Sequence, residues 1–314
     1  MYRSLAGLID LYRTRGPLFA GIDTRRERTR YSVIGAPLDA TASYRKGQRW
    51  APRSIREASE NIEPNGYYAR GITIEEAGVY DEGDIALPHG DAVEAVRRIA
   101  GVVGEIASEG RIPVVLGGEH TVTLGALEGL AGAGVRPCIL VLDAHLDLRN
   151  EYLGEEVSHA TVMRRILERV HPPVLVYIGP RAYDREEEGL ASGRSGVEVI
   201  YSWEVERIGP VNAGSRARNL LSGCSRVYIS IDMDVYDPAY APGVGTPEPP
   251  GLRAREVFRI LREVVDYRVV GIDIVEVTPS YDCGSVTSVL AAKTLQEVIL
   301  LAESSRRTRS RKPS

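Results

Sequence analysis

The stretch PCILVLDAHLDL, residues 137–148, passes from a proline through the apolar run Ile139 to Leu142 straight into Asp143, His145 and Asp147. Four apolar residues bounded by Pro137 read as a short buried strand. Successive strand side chains alternate between faces, so the three polar residues share one side for as long as the backbone stays extended. Grouping two carboxylates and an imidazole is costly, because each charge taken from water costs several kcal/mol unless something positive compensates. An arginine or lysine could compensate. A divalent cation does so better, because the oxygens and the nitrogen become its ligands. Taken alone, the segment is read equally well as a strand running out into solvent.

Working outward, similar Val- and Ile-rich runs recur at YSVIG (31–35), IPVVLGG (112–118), VLVYIG (174–179), VEVIY (197–201), RVYISIDMD (226–234) and VVGIDIVEV (269–277). Helix-like segments lie between them. DAVEAVRRIAGVVGEIASEG places Val93, Val96, Ile99, Val103 and Ile106 three or four apart and stops at Gly110. Apolar runs buried on both faces, alternating with amphipathic helices, predict an α/β fold with a mostly parallel sheet covered by helices on each side. No linker or internal repeat divides the 314 residues, so a single domain over 1–314 is expected. In such sheets ligands bind just beyond the carboxyl ends of the strands. Asp143, His145 and Asp147 sit at one such end.

Two other runs end in the same way. RVYISIDMD leads into Asp232 and Asp234, and IPVVLGGEH leads into His120, while Asp273 and Glu276 come at the end of VVGIDIVEV. Each has an ordinary reading: a core histidine, an Asp-rich turn, or an aspartate paired with an arginine. Their joint placement at strand ends of one sheet is what favours metal binding. Two imidazoles and four carboxylates exceed the needs of one ion and suit a pair of divalent ions, roughly 3.5–4 Å apart. The oxygen-rich set favours manganese or a similar ion over a thiolate-type zinc site.

Composition narrows the remaining classes. The net charge is −4, and the tail 306–314 alone carries five basic residues, so the body is more acidic still. That argues against nucleic acid as a partner and suits a cationic substrate. The tail itself reads as a disordered basic end. No secretory leader and no membrane-length apolar stretch is evident, and a cytoplasmic location is expected. Cys138, Cys224 and Cys283 are scattered and odd in number, which fits free thiols in a reducing compartment.

GGEH (117–120), DAHLD (143–147), SIDMDVYDP (230–238) and Glu276 together resemble the signature blocks of the ureohydrolase (arginase–agmatinase) family. VIGAPLDATASYRKGQRWAPRSIREAS (33–59) and PSYDCGSVTSVLAAK (279–293) resemble its opening and closing segments. The resemblance implies a three-layer αβα fold with an eight-stranded sheet, two Mn2+ per chain, and hydrolysis of a guanidino group to urea and an amine. It places His120, Asp143, Asp147 and Asp232 on one ion and Asp143, His145, Asp232 and Asp234 on the other. It further implies a substrate-side carboxylate at Glu276, a proton-shuttling imidazole at His159, titrating near neutrality, and a proton relay at Asp147. A homo-oligomer, trimer or hexamer, is also implied.

The loop LRNEYLGEEVSHAT (148–161) should face the substrate tail, with Arg149, Asn150 and Glu151 as candidate contacts and Asp184 as a further acid at the mouth. DLRNEYLG is more like the agmatinase branch than the arginase branch, so agmatine or aminopropylagmatine is the expected substrate, giving putrescine or spermidine. Arg149 keeps carboxylate-tailed substrates open: arginine, guanidinobutyrate and formiminoglutamate. A metal-dependent deacetylase would keep one zinc and fewer carboxylates. A non-catalytic binding protein of the same family would be expected to have lost ligands, and this chain keeps all six.

Overall fold

A computed structural model describes residues 13–14 and 16–310. Its centre is a nine-stranded sheet of β1 (Arg13–Thr14), β2 (Tyr31–Ala36), β3 (Val79–Ile85), β4 (Ile112–Gly117), β5 (Cys138–Leu142), β6 (Leu175–Ile178), β7 (Val197–Ile200), β8 (Val227–Asp232) and β9 (Val269–Val275). The order across the sheet is β1-β3-β2-β4-β9-β8-β5-β6-β7. β2 to β9 form an eight-stranded parallel sheet, and the two-residue β1 adds an antiparallel edge to β3.

The apolar runs are continuous because both faces are covered. In β5, Leu140 and Leu142 join one hydrophobic core while Ile139 and Val141 join the other. Helices Ala92–Ser108, Val122–Gly132 and Val162–Arg169 cover one face; Ala51–Ser59, Pro210–Leu220, Ala254–Val264 and Val286–Ser310 cover the other. Along Ala92–Ser108 the buried stripe takes Ala92 and Ala95 in the first turn, and Val93, expected on that stripe, is exposed. The helix ending at Ser310 is the one described helix long and apolar enough to cross a membrane by length and composition, and most of its apolar stretch is buried inside the protein.

β3 is the strand that periodicity misses, since its sequence VYDEGDI carries three acids. The fold satisfies them internally. Arg56, almost fully buried, donates to both oxygens of Asp81 and to Asp84, and Arg26 and Ser32 donate to Glu82. Two further expectations are corrected. Residues 306–310 are not a loose tail: they continue the helix Val286–Ser310, and Arg306 anchors it through Tyr31 Oη and the Val269 carbonyl. Residues 311–314 lie outside the described residues.

Cys138 and Cys224 are joined in a disulfide, and Cys283 alone is a free, exposed thiol. The two half-cystines are 86 residues apart in sequence. They meet because β5 and β8 are neighbours, with Cys138 paired to Val227 at the amino ends of the strands. Strand order is invisible in the sequence, so the pairing was too, and the argument for a reducing compartment loses its premise.

Candidate metal centre

Four adjacent strands, β4, β9, β8 and β5, deliver the site at their carboxyl ends. β5 itself stops at Leu142, and Asp147 has φ of 53°, so strand alternation does not align Asp143, His145 and Asp147 as expected. The loop folds back instead, with Ala144 N–H donating to Asp234 and His145 N–H donating to Asp143. Left-handed φ is rare for a residue with a side chain. Asp147 and Glu276 (φ 66°) both adopt it, which turns their carboxylates back over the strand ends.

His120 Nδ1 lies 3.1 Å from Asp143 Oδ2, 3.0 Å from Asp147 Oδ2 and 3.2 Å from Asp232 Oδ2. His145 Nδ1 lies 3.5 Å from Asp143 Oδ1 and 3.0 Å from Asp234 Oδ2. Asp143 thus faces one imidazole with each oxygen. The six residues form two clusters with Asp143 common to both. Asp232 turns Oδ2 to the His120 cluster and accepts the Asp234 N–H with Oδ1.

The donor chemistry fits a cation. His120 Nε2 is 3.1 Å from Ser230 Oγ, and that hydroxyl donates to Asp273 at 2.6 Å, so the imidazole proton belongs on Nε2. Nδ1 then presents a lone pair to three carboxylates. Among the described residues His120 Nδ1 and Asp143 Oδ2 are buried without a hydrogen-bond partner, an arrangement a shared positive ion resolves. Asp273 accordingly pairs with no arginine among the described residues: it accepts from Tyr228, Ser230 and Thr123 hydroxyls and braces His120 from behind.

Electrostatics give the same result. Burial, then repulsion by Asp143, pushes the Asp147 carboxyl up to about 7. Burial with Asp234 and Asp143 raises Asp232 well above the usual range. Asp143 goes the other way: burial opposes its charge, but His120 and His145 outweigh burial and hold it low. Burial disfavours the charged forms of His120 and His145 too, yet the carboxylates raise both. Asp147 and Asp232 rise above their unfolded values (about 3.9), so their contribution is full below that pH and is lost as pH rises, through about 7 for Asp147. The raised histidines act in the same direction above about 6.5. Metal-free protein should therefore melt at a lower temperature at pH 8 than at pH 5, and added Mn2+ should raise the midpoint more at pH 8. Equal increments at both pH values in differential scanning fluorimetry would contradict this.

Around the cluster, Glu276 accepts His120 N–H at 2.8 Å and the Gln48 amide at 3.0 Å, and burial followed by the charge of Glu119 raises its carboxyl to about 8. A cleft above is lined by Glu276, Asp147, His159, Arg149, Tyr152 and Glu248, among others. His159 lies 3.3 Å from Thr41 Oγ1 and 3.3 Å from Ser43 Oγ. It does not titrate near neutrality as expected: burial, together with nearby His145 and His120, pulls it down to about 4.

The expected tail contacts divide. Arg149 lines the cleft, but it pairs with Asp184 at 3.3 Å, lies 3.6 Å from Glu187 and stacks over Tyr152. Asp184 is outside the lining and caps the helix Arg185–Gly193. Asn150 accepts from Arg165, and neither it nor Glu151 lines the cleft. Residues the sequence reading passed over are Thr41, Ser43, Gln48, Glu119, Ser230, Tyr183 and Glu248. Ser230 and Glu119 stood inside quoted blocks, and so did Thr41, Ser43 and Gln48 in 33–59, but these three follow the end of β2 and nothing local links them to the other strand ends.

That loop reaches the site through Gly118. A Cβ there would lie 1.9 Å from the Leu38 carbonyl, which accepts Glu119 N–H. Gly118→Ala is expected to cost about 1–3 kcal/mol by overpacking and to lower activity by displacing residues 38–43. Urea denaturation with a parallel assay checks both effects; an unchanged midpoint would refute the close-approach argument.

A parallel sheet with two carboxylate–imidazole clusters at its carboxyl edge is an α/β fold carrying a candidate site for divalent metal ions. Residues 29–301 match the family model of the arginase family. The chain is 33% identical over 289 residues to an agmatinase of Halalkalibacterium halodurans, covering 91% of this chain and 96% of that one. It is 35% identical over 273 residues to a guanidinobutyrase of Pseudomonas aeruginosa, covering 85% of each. The crystal structure of an agmatine ureohydrolase of Thermoplasma volcanium superimposes with a TM-score of 0.84 at 38% identity, covering 94% of this chain and 97% of that one.

The chain belongs to the arginase family. It is a ureohydrolase, a hydrolase acting on C–N bonds in linear amidines, and is most like the agmatinases within that family. Arginase-family proteins use a binuclear metal centre, and this chain has the His and Asp groups that could bind one.

Proposed function

We propose that the protein hydrolyses agmatine, or its aminopropyl derivative, to urea and putrescine or spermidine, with two Mn2+ held by His120, Asp143, His145, Asp147, Asp232 and Asp234. The observation that carries the amine-tail reading is the charge balance of the cleft wall. Arg149 is already held by Asp184 and stacked on Tyr152, whereas Glu248 on the wall makes no ion pair among the described residues. The similarity to agmatinases supports the same substrate. The ligand set, without a thiolate, favours manganese.

Bound there, the ions supply Lewis acidity and a water of lowered pKa. Glu276 takes the guanidinium by charge-assisted hydrogen bonds, and the cation lowers the carboxyl from about 8 so that it binds ionised. Asp147, beside His120 and on the wall of the cleft, carries a proton from the attacking water to the leaving amine. His159, neutral at pH 7, accepts a proton at Nε2 and passes it between the cleft and solvent. Burial of the cluster keeps bulk water from competing at these atoms.

A carboxylate-tailed substrate is the second reading, favoured by the 38% exposure of the Arg149 side chain in the cleft. Urea release by manganese-loaded protein with agmatine, aminopropylagmatine, arginine and guanidinobutyrate separates the two. Turnover of amine-tailed substrates alone is expected. Turnover of guanidinobutyrate or arginine alone would reject agmatine and make Arg149 the specificity residue.

A further inference from the structure

Glu119 is fully buried, and three donors converge on it: Thr41 N–H at 2.8 Å, Thr41 Oγ1 at 2.8 Å and Thr121 Oγ1 at 2.9 Å. Two of the three come from Thr41, so both the backbone and the hydroxyl of that residue are pinned. The hydroxyl has one proton, and Glu119 takes it. Towards any other neighbour Thr41 Oγ1 is therefore an acceptor. Its other neighbours are His159, through the backbone N–H at 3.1 Å and ring Nδ1 at 3.3 Å, and Thr121 Oγ1 at 3.5 Å, whose own proton also goes to Glu119.

We propose that Thr41, anchored by Glu119, is a positioning residue that fixes His159 as its Nδ1–H tautomer and turns the Nε2 lone pair into the cleft. An acceptor facing Nδ1 requires that nitrogen to carry the proton, and the other nitrogen is then the basic one. Nε2 faces the Ser43 hydroxyl, which lines the cleft. The ring is held a second way, edge-on to Tyr152 with centroids 5.5 Å apart. The supporting loop is seated by the close approach at Gly118 and by Glu119 N–H donating to the Leu38 carbonyl. A carboxylate, a hydroxyl and an imidazole thus stand in line, with the carboxylate outside the cleft and the imidazole on its wall. The inference rests on reading His159 as the proton carrier; it is independent of which guanidino compound is the substrate.

The test compares Thr41→Val, which keeps the shape and loses the hydroxyl, with Thr41→Ser, which keeps the hydroxyl. The assay uses manganese-loaded full-length protein and whichever substrate the wild type turns over. Thr41→Val is expected to lose at least about 10-fold in kcat, with KM and bound metal unchanged. Thr41→Ser should recover most of that loss, and free imidazole in the buffer should restore Thr41→Val and His159→Ala alike. An unchanged kcat in Thr41→Val overturns the proposal, as does a loss that neither serine nor imidazole restores. A second readout needs no turnover. Long-range proton–nitrogen NMR of histidine-labelled, metal-free chain, assigned against His159→Ala, should show His159 as Nδ1–H in the wild type and Thr41→Ser, and as a tautomer mixture in Thr41→Val. An Nε2–H wild-type ring would overturn the proposal even if agmatine proved to be a substrate.

Discussion

Asparagine in place of Asp143 is expected to lower kcat for urea release by about 10³-fold or more and to strip metal from the protein. Each Asp143 oxygen faces a different imidazole, Oδ2 towards His120 at 3.1 Å and Oδ1 towards His145 at 3.5 Å. Asparagine keeps the shape but removes the charge and replaces one acceptor by an NH2 group, which would point its hydrogens at a cation. Metal ions contribute several kcal/mol of charge stabilisation in such reactions, and each ~1.4 kcal/mol is tenfold in rate. Steady-state urea release and elemental analysis on the same preparation check both halves, with circular dichroism to show that the variant is folded. Retention of metal with kcat within tenfold of wild type would mean that Asp143 does not hold the centre together.

The second large effect is on stability. Cys138→Ser is expected to lower the free energy of unfolding by about 4–5 kcal/mol, the loop-closure entropy of a bridge spanning 86 residues. Denaturant unfolding of wild type with and without reductant should show the same gap, and Cys224→Ser should match Cys138→Ser. Thiol titration of the unreduced, denatured chain should find a single reactive group, Cys283. Three thiols would remove the cross-link. The bridge closes the amino ends of β5 and β8, whereas Asp143, Asp232 and Asp234 lie at their carboxyl ends. Below the melting transition, kcat of the serine variants should therefore stay close to wild type.

What could be read from the chain follows from how local each signal is. Seven strands announced themselves because burial on both faces writes an unbroken apolar run. β3 did not, because its acids are matched by Arg56 and Arg26, each more than 20 residues away. The six candidate ligands were visible because they cluster at strand ends in short blocks. Their convergence, however, does not come from strand alternation but from the left-handed turn at Asp147 and from strand adjacency. Glu119–Thr41–His159 joins three segments between 41 and 159, and no spacing rule connects them. Arg149 was legible as a charged loop residue, but its engagement with Asp184 depends on a helix cap that forms only in the folded chain.

The sheet order also governs when the site can come into being. β9 is made last among the strands, yet it lies between β4 and β8 and hydrogen-bonds to both. A nascent chain ending at residue 268 already contains all six candidate ligands, but β4, which leads to His120, and β8, which carries Asp232, have no common neighbour. Both strands keep an open edge until residues 269–275 arrive, and open edges are where growing chains pair wrongly. Assembly of the His120 cluster is thereby tied to completion of the polypeptide, not to synthesis of the ligands: before β9 arrives, β5 and β8 already bring Asp143, His145, Asp232 and Asp234 together, and His120 has no fixed place beside them.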